Sequence, residues 1–332
     1  MKIAVDVMGG DNAPVEIIKG TIDAIKEYDI DVYLVGKEDI IKQTLAKEGF
    51  SSEKVNIINA TEVITGEDSP TVSIRSKKDS SMVVGMKMLK EGKVDAFVSA
   101  GNTGALLAGG LFVVGRIKGI DRPALAPILP GRKSPFMLVD AGANAECKVQ
   151  NILQFAMMGE IYFQNVMKHK APKVALVNIG SEEEKGTEFT KECYKALKEN
   201  NNSFVGNIEG REILEGDVQV VVSDGFTGNV VLKVFEGTAM TIMSELKKEF
   251  MSSVITKIGA LLSKSVFSSF KKKFDYTEHG GAILLGVNGA VIKAHGSSNA
   301  KAFKNAIRQA IKCVDGNIVE SIKKEIEKDF SK

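Results

Sequence analysis

Short apolar runs alternate with amphipathic stretches along the first half of the chain, and glycine flanked by small polar residues follows most of the runs. Residues 3–7 are apolar and lead into Gly9-Gly10, which reads as a strand and then a turn. Residues 14–27 place Val15, Ile18, Ile22 and Ile25 on one helical face. The same reasoning predicts strands over 31–35, 55–58 and 96–99, a helix over 39–48, one long helix over 70–91 begun by Pro70, and an apolar helix over 103–114. Strand alternating with helix implies right-handed crossovers, and so an α/β fold: a mainly parallel sheet covered on both faces.

The rhythm changes at 121–135, where Pro123, Pro127, Pro130 and Pro135 crowd together. Proline cannot donate to a ladder, so this segment reads as an edge strand, arm or hairpin rather than a central strand. Alternation resumes with strands over 137–140, 174–178 and 218–223, and helices over 146–169, 187–199 and 228–250. No internal repeat, low-complexity linker or shift in composition divides the 332 residues, so one α/β domain over 1–332 is expected.

Composition narrows the function classes. A chain 44% hydrophobic and 26% charged buries a core. The 44 basic residues against 42 acidic ones speak against a surface built for nucleic acid. Three scattered cysteines suit neither a disulfide framework nor a cysteine zinc site, which fits a reducing compartment. Asp6 and Asp11 break the N-terminal apolar run, so no signal peptide is read, and no run nears the ~20 apolar residues of a membrane span.

Chemistry is expected where glycine turns meet strand ends, because an open parallel sheet places ligands there. Five such turns stand out: Asp6 to Asp11 with Gly9 and Gly10; Ser99 to Gly104 with Gly101, Asn102 and Thr103; Asp140 to Asn144; Asn178 to Ser181 with Gly180; and Asp224 to Asn229 with Gly228. The second and fifth run directly into apolar helices, where free N–H groups and the helix dipole attract an anion such as phosphate. Neither GxxxxGK[ST] nor a GxGxxG after the first strand is present, so the anion site is assembled from several loops and no cofactor is called for. Lys185, after the acidic run at 182–184, is either a point charge for phosphate or an oxyanion, or a helix-start lysine paired with local glutamates. His279 and His295 flank glycine turns and read as general acid/base groups or as capping side chains. Asp6 and Asp11 either hold Mg²⁺ or, more simply, order their turn. Cys147 reads as a small buried apolar residue.

Residues 251–274 contain no acid. Ile258, Leu261 and Leu262 recur there at helical spacing, with Lys257, Lys264, Lys271, Lys272 and Lys273 as the only charges. Such a stretch either lies on an anionic membrane or packs against protein.

The motifs DVMGGD, SAGNTGA, RPALA, DAGAN, NIGSEEEKGTE, DGFTGNVVLK, GGAILLG and AHGSS stand in the order and spacing of the bacterial phosphate acyltransferases, and the chain resembles that family from residue 3 to about 314. The resemblance implies a three-layer αβα sandwich similar to the isocitrate/isopropylmalate dehydrogenase and phosphotransacetylase group, with a helical projection over about 236–275. It implies a homodimer at the cytoplasmic face of the membrane. The implied reaction moves a fatty acyl group from acyl carrier protein to inorganic phosphate, giving acyl phosphate for phospholipid synthesis through a downstream glycerol-3-phosphate acyltransferase. On that basis Lys185, Asn229, Asp224 and His279 are expected at the chemistry. Asp6, Gly9, Gly10, Asp11, Ser99, Gly101, Asn102, Thr103, Gly104, Asp140, Asn144, Gly180, Gly228 and His295 are expected around the substrates. The lysines and apolar residues of 257–272 are expected at the membrane or carrier. A phosphotransacetylase-like enzyme using acyl-coenzyme A and a non-catalytic membrane scaffold are the rival readings.

Overall fold

A computed structural model describes residues 1–267, 270 and 280–330. Its strands are β1 (Lys2–Asp6), β2 (Asp31–Gly36), β3 (Val55–Asn59), β4 (Ala96–Ser99), β5 (Ala124–Leu129), β6 (Phe136–Val139), β7 (Val174–Asn178), β8 (Phe204–Glu209), β9 (Val220–Val222), β10 (Ala282–Leu285) and β11 (Ala290–Lys293). They form one sheet in the order β3-β2-β1-β4-β11-β10-β5-β6-β9-β7-β8. Both flanks are parallel throughout. The antiparallel pairings, β11–β10, β10–β5 and β5–β6, sit together in the middle.

Helices cover both faces, as the nearly continuous burial of the strands requires. Ile3 and Val5 of β1, with Ala96 and Val98 of β4, enter one core together with α1 (Val15–Glu27), α6 (Val149–Asn165) and α10 (Ala300–Asp315). Ala4 and Phe97 point the other way, into a core shared with α3 (Pro70–Ser76), α4 (Ser81–Lys90) and α5 (Thr103–Gly109). The remaining helices are α2 (Glu38–Lys47), α7 (Glu188–Asn200), α8 (Gly225–Phe250), α9 (Val254–Leu262) and α11 (Ile318–Phe330).

Three departures from the sequence reading have local causes. The helix expected over 70–91 is two helices. Asp79 is drawn aside to accept from the N–H and Oγ of Thr61 (2.9 and 2.5 Å), and Ser80 then caps α4. The proline-rich segment holds a central strand, β5, buried along its whole length. Leu125 donates its N–H to Asp140 and accepts at its carbonyl from Ala141, so by strand alternation the missing donor of Pro127 also faces β6. Ladder pairs on that side are confined to Ile128 and Leu129, and the proline leaves no bond unmade. The hairpin part of the expectation holds, since β5 and β6 pair antiparallel across Pro130 and Pro135. Finally, α8 begins at Gly225, not Gly228, because Asp224 is its N-cap and accepts from the Thr227 N–H at 2.8 Å.

Candidate functional site

The strand registers place Asp6, Ser99, Lys293, Ala282 and Pro127 in one row across five neighbouring strands. Above this row lies a cavity of about 410 Å³. The start of α5 (Thr103, Gly104, Leu107) and the turn after β6 (Ala141, Gly142) line it. So do one face of α8 (Asn229, Leu232, Lys233, Glu236) and the turn after β11 (His295, Gly296, Ser298). The apolar wall comes largely from β5.

Several expected site residues build this cavity rather than face it. Asp6 is buried, and its carboxylate accepts from Ser99 Oγ at 2.7 Å and from the Met8 N–H at 3.2 Å; Ser99 Oγ in turn accepts from the Gly101 N–H at 3.0 Å. Burial pushes the Asp6 carboxyl upward against those hydrogen bonds. Asp6, Ser99 and Gly101 therefore clip the ends of β1 and β4 together, and Gly9 and Gly10 pack against the backbone at 100–101. Asp11 is exposed, and its backbone N–H donates to the Gly296 carbonyl at 2.8 Å, holding the first turn against the last. The Asp6 carboxylate is thus a turn-ordering group, while Asp11 joins the two turns through its backbone. Asn102 is spent as the cap of α5, accepting from the Ala105 N–H at 3.0 Å and donating to the Thr65 carbonyl at 3.1 Å.

Asp140 is fully buried and accepts from the backbone N–H groups of Leu125, Gly142, Ala143 and Asn144. Burial again pushes its carboxyl up, opposed by these donors. The Asn144 amide donates to Asp140 and to the Pro123 carbonyl. Asp140, Asn144 and the Asp224 cap thus hold the start of α8 against the turn after β6. Gly228 faces the Asp140 carbonyl so closely that a Cβ there would lie 1.9 Å from the oxygen. This anchorage aims Asn229 into the cavity beside Gly142, and the Asn229 amide bonds to none of the described residues.

Lys185 and Gly180 lie outside this cavity. They share the turn after β7, where Lys185 is exposed and its carbonyl accepts from Asn178 Nδ2 at 3.0 Å. His279, Lys271 and Lys272 lie outside the described residues. Cys147 is half-buried, and burial pushes its thiol up to about 11, which suits an inert side chain.

Two cationic groups in the cavity escaped the sequence reading. Lys293 ends a buried strand, 7% exposed, and its amine donates to the carbonyls of Ala100 and Ala294. That leaves one of its three donors without a described partner. Burial pulls this amine down to about 8. Lys233 pairs with the buried Glu236 at 2.7 Å, one turn along α8. The signal for Lys293 was a lysine closing an apolar run directly before AHGSS. His295 accepts at Nδ1 from the Ser297 N–H at 3.2 Å, which places the proton of the neutral ring on Nε2; burial lowers its pKa.

A sheet of this order, with a cavity where strand direction changes, belongs to the open α/β class and carries its candidate site where such sheets bind their ligands. Its fold is shared with a phosphotransacetylase from Streptococcus pyogenes, at a TM-score of 0.63 and 17% identity, covering 96% of this chain and 94% of that one. A branched-chain phosphotransacylase from Enterococcus faecalis aligns over 94% of this chain and 99% of its own, at a TM-score of 0.57 and 12% identity. The family described as "Fatty acid synthesis protein" matches residues 1–321. The phosphate acyltransferase of Alkaliphilus oremlandii is 58% identical over 322 residues, covering 97% of this chain and 96% of its own. That of Clostridium tetani is 55% identical over 327 residues, covering 98% of each. The chain belongs to this family of fatty acid synthesis proteins, and it is an acyltransferase of the phosphate acyltransferase kind.

Proposed function

We propose that the protein moves a fatty acyl group from the thioester of acyl carrier protein to inorganic phosphate, giving acyl phosphate and the free carrier thiol. The acyl phosphate then serves a glycerol-3-phosphate acyltransferase in phospholipid synthesis. The observation that carries this reading is the Asn229 amide, aimed into the cavity with no partner among the described residues and sharing that cavity with the buried amine of Lys293.

Phosphate at neutral pH needs no strong base. The enzyme must desolvate it, hold it about 3 Å from the thioester carbon and stabilise the tetrahedral oxyanion. Lys293, with Thr103 and the Gly104 and Gly296 turns, receives the phosphate in this proposal, and Asn229 donates to the thioester oxygen. A phosphate oxygen attacks the carbonyl carbon, the C–S bond breaks, and the thiolate takes a proton. Lys293, at about 8, is matched to a leaving thiol of ordinary pKa about 8.5. His295, held neutral by burial, is the weaker donor. The wall formed by β5 and Leu232 suits the start of an acyl chain. Lys185 keeps its place through its motif alone, since a movement of its turn or a second copy must bring it to the cavity.

The ionised Lys293 sets the expected pH dependence. Its folded-state pKa is depressed, so the ammonium is present below about pH 8 and lost above it. Turnover is expected to fall as pH rises through that value. Lys293→Met should lower turnover more than tenfold and remove the alkaline limb; a wild-type profile in the variant would take Lys293 out of the reaction.

Assembly and location extend the proposal. Phe226, Val230 and Val234 recur every four residues on α8 and are exposed, an apolar stripe that a second copy would cover in a homodimer. No helix among the described residues is long and apolar enough to cross a membrane. Helix α9 has no buried residue, and Leu261 and Leu262 are 70% and 81% exposed, which supports a peripheral contact with the inner face of the membrane through this tip, Ile258, Lys257 and Lys264 included. Leu261→Glu with Leu262→Glu should release the protein from anionic vesicles without lowering its melting temperature; undiminished co-sedimentation would reject the contact.

The proposal is tested by supplying acyl-acyl carrier protein or acyl-coenzyme A with labelled phosphate and scoring hydroxylamine-sensitive acyl phosphate. Product from the carrier thioester is expected. Product from the coenzyme alone would favour the phosphotransacetylase-like reading, and product from neither would favour the scaffold.

A further inference from the structure

A second concavity lies away from the cavity, on the outer side of α3 and α4. It is a shallow, open concavity of about 750 Å³ that brings together Arg75, Lys78, Lys87 and Lys90, all exposed. The one carboxylate in its lining, Glu91, is taken by Lys93 at 2.7 Å, outside the lining. None of the four cations has a carboxylate within ion-pair distance among the described residues. The nearby acids bond other groups, Asp79 to Thr61 and Asp68 to Lys77 at 2.7 Å, so that Lys87 feels Asp79 and Glu91 only at longer range.

A basic helix face is ordinarily just solvated, and charge alone would carry nothing. Here the groove also exposes an aromatic anchor. Phe112 is 54% exposed, with the Arg75 guanidinium 5.2 Å from its ring centre, and Val113 lies beside it in the lining. An exposed aromatic with an arginine over its ring, in a lining shared with three lysines, is the anatomy of a protein-binding hot spot. A flat bilayer cannot enter a concave groove, whereas an acidic helix can lay its carboxylates along the lysines.

Position links this groove to the chemistry. Thr103, Gly104 and Leu107 of α5 line the catalytic cavity, and α5 continues through a wider turn, Gly110–Val114, into Phe112 and Val113. Nine helical steps lead from Thr103 to Phe112, about 13 Å along the helix. A carrier docked at Phe112 would sit within reach of a flexible arm entering the cavity beside Thr103.

We propose that the groove formed by Arg75, Lys78, Lys87, Lys90 and Phe112 is the docking surface for the acidic carrier protein that delivers the acyl thioester. This rests on the carrier-dependent reaction proposed above. It separates the carrier from the basic tip at α9, so membrane and carrier do not compete for the same lysines.

The test is Lys78→Glu/Lys87→Glu/Lys90→Glu, assayed with acyl-acyl carrier protein and with an uncharged acyl-pantetheine of the same chain length. The KM for the carrier substrate is expected to rise at least tenfold while kcat/KM for acyl-pantetheine stays within twofold, and the wild-type KM for the carrier should rise with ionic strength. Unchanged carrier KM in the variant overturns the docking surface, whether or not the variant loses binding to anionic vesicles. A wild-type enzyme that uses acyl-pantetheine but not the carrier substrate overturns the carrier reading itself. Should the triple reversal fail to fold, the triple alanine variant replaces it, with an expected rise of at least threefold; an unchanged carrier KM in that variant overturns the docking surface equally.

Discussion

Asn229→Ala is expected to lower turnover by about 10²- to 10³-fold, the loss typical of deleting one oxyanion donor. The stability of the fold should barely change, because Asn229 is exposed and its amide bonds to none of the described residues. This combination is what separates it from its neighbours. Asn144→Ala would break the strut between Asp140 and Pro123, and any loss of activity there would be confounded with loss of structure. The informative readouts are kcat and KM for both substrates beside a thermal melt. A fall in kcat with an unshifted melt supports the oxyanion role; undiminished kcat removes Asn229 from the mechanism. Lys185→Ala belongs in the same assay. A tenfold or greater loss would show that its turn reaches the cavity in the working enzyme, and wild-type turnover would leave Lys185 a surface residue.

Gly228→Ala is expected to have the largest effect on stability. The added Cβ would lie 1.9 Å from the Asp140 carbonyl oxygen, 2.7 Å from Ser223 Oγ and 3.0 Å from the Asp140 carbonyl carbon. The obstacle is mostly backbone, and that backbone is held by the four N–H groups bonded to the buried Asp140 carboxylate. Neither α8 nor the turn after β6 can retreat without losing those bonds or the contact of Gly225 N–H with the Asn144 carbonyl at 2.8 Å. A cost above about 4 kcal/mol places the change among the rare severe substitutions, and the variant should be recovered unfolded or with a strongly lowered melting temperature. A melt within a few degrees of wild type would mean that α8 is not seated as described.

These two residues are adjacent in a single motif, and the sequence could not tell them apart. A glycine turn leading into an apolar helix marks a stretch that the structure brings to the cavity, and Asn229 is legible there as a candidate donor. That Gly228 serves packing depends on what stands opposite, which is the turn after β6, more than 80 residues earlier in the chain, whereas the Asp224 cap is local and spans only to Thr227. Asn102, Asp140 and Asn144 were marked for the same reason and turn out to bond the backbone, since a polar side chain that orders a loop and one that binds a ligand look alike in sequence. Lys293 was hidden for the opposite reason: its apolar neighbours read as strand, and only the register with Ser99 and Ala282 brings it to the cavity floor. The alternation of strand and helix was plain because its periodicity is local. The central position of β5 was not, because Pro127 argues for an edge until its missing donor is seen to face a gap in the ladder.

The most direct test of the account is a crystal structure of the protein soaked with tungstate, a heavy tetrahedral analogue of phosphate located by its anomalous signal. The account predicts one tetrahedral anion in the cavity, within hydrogen-bond distance of the Lys293 amine and the glycine turns at Gly104 or Gly296, with the Asn229 amide beside it. An anion held elsewhere, with that cavity left to water, would contradict it.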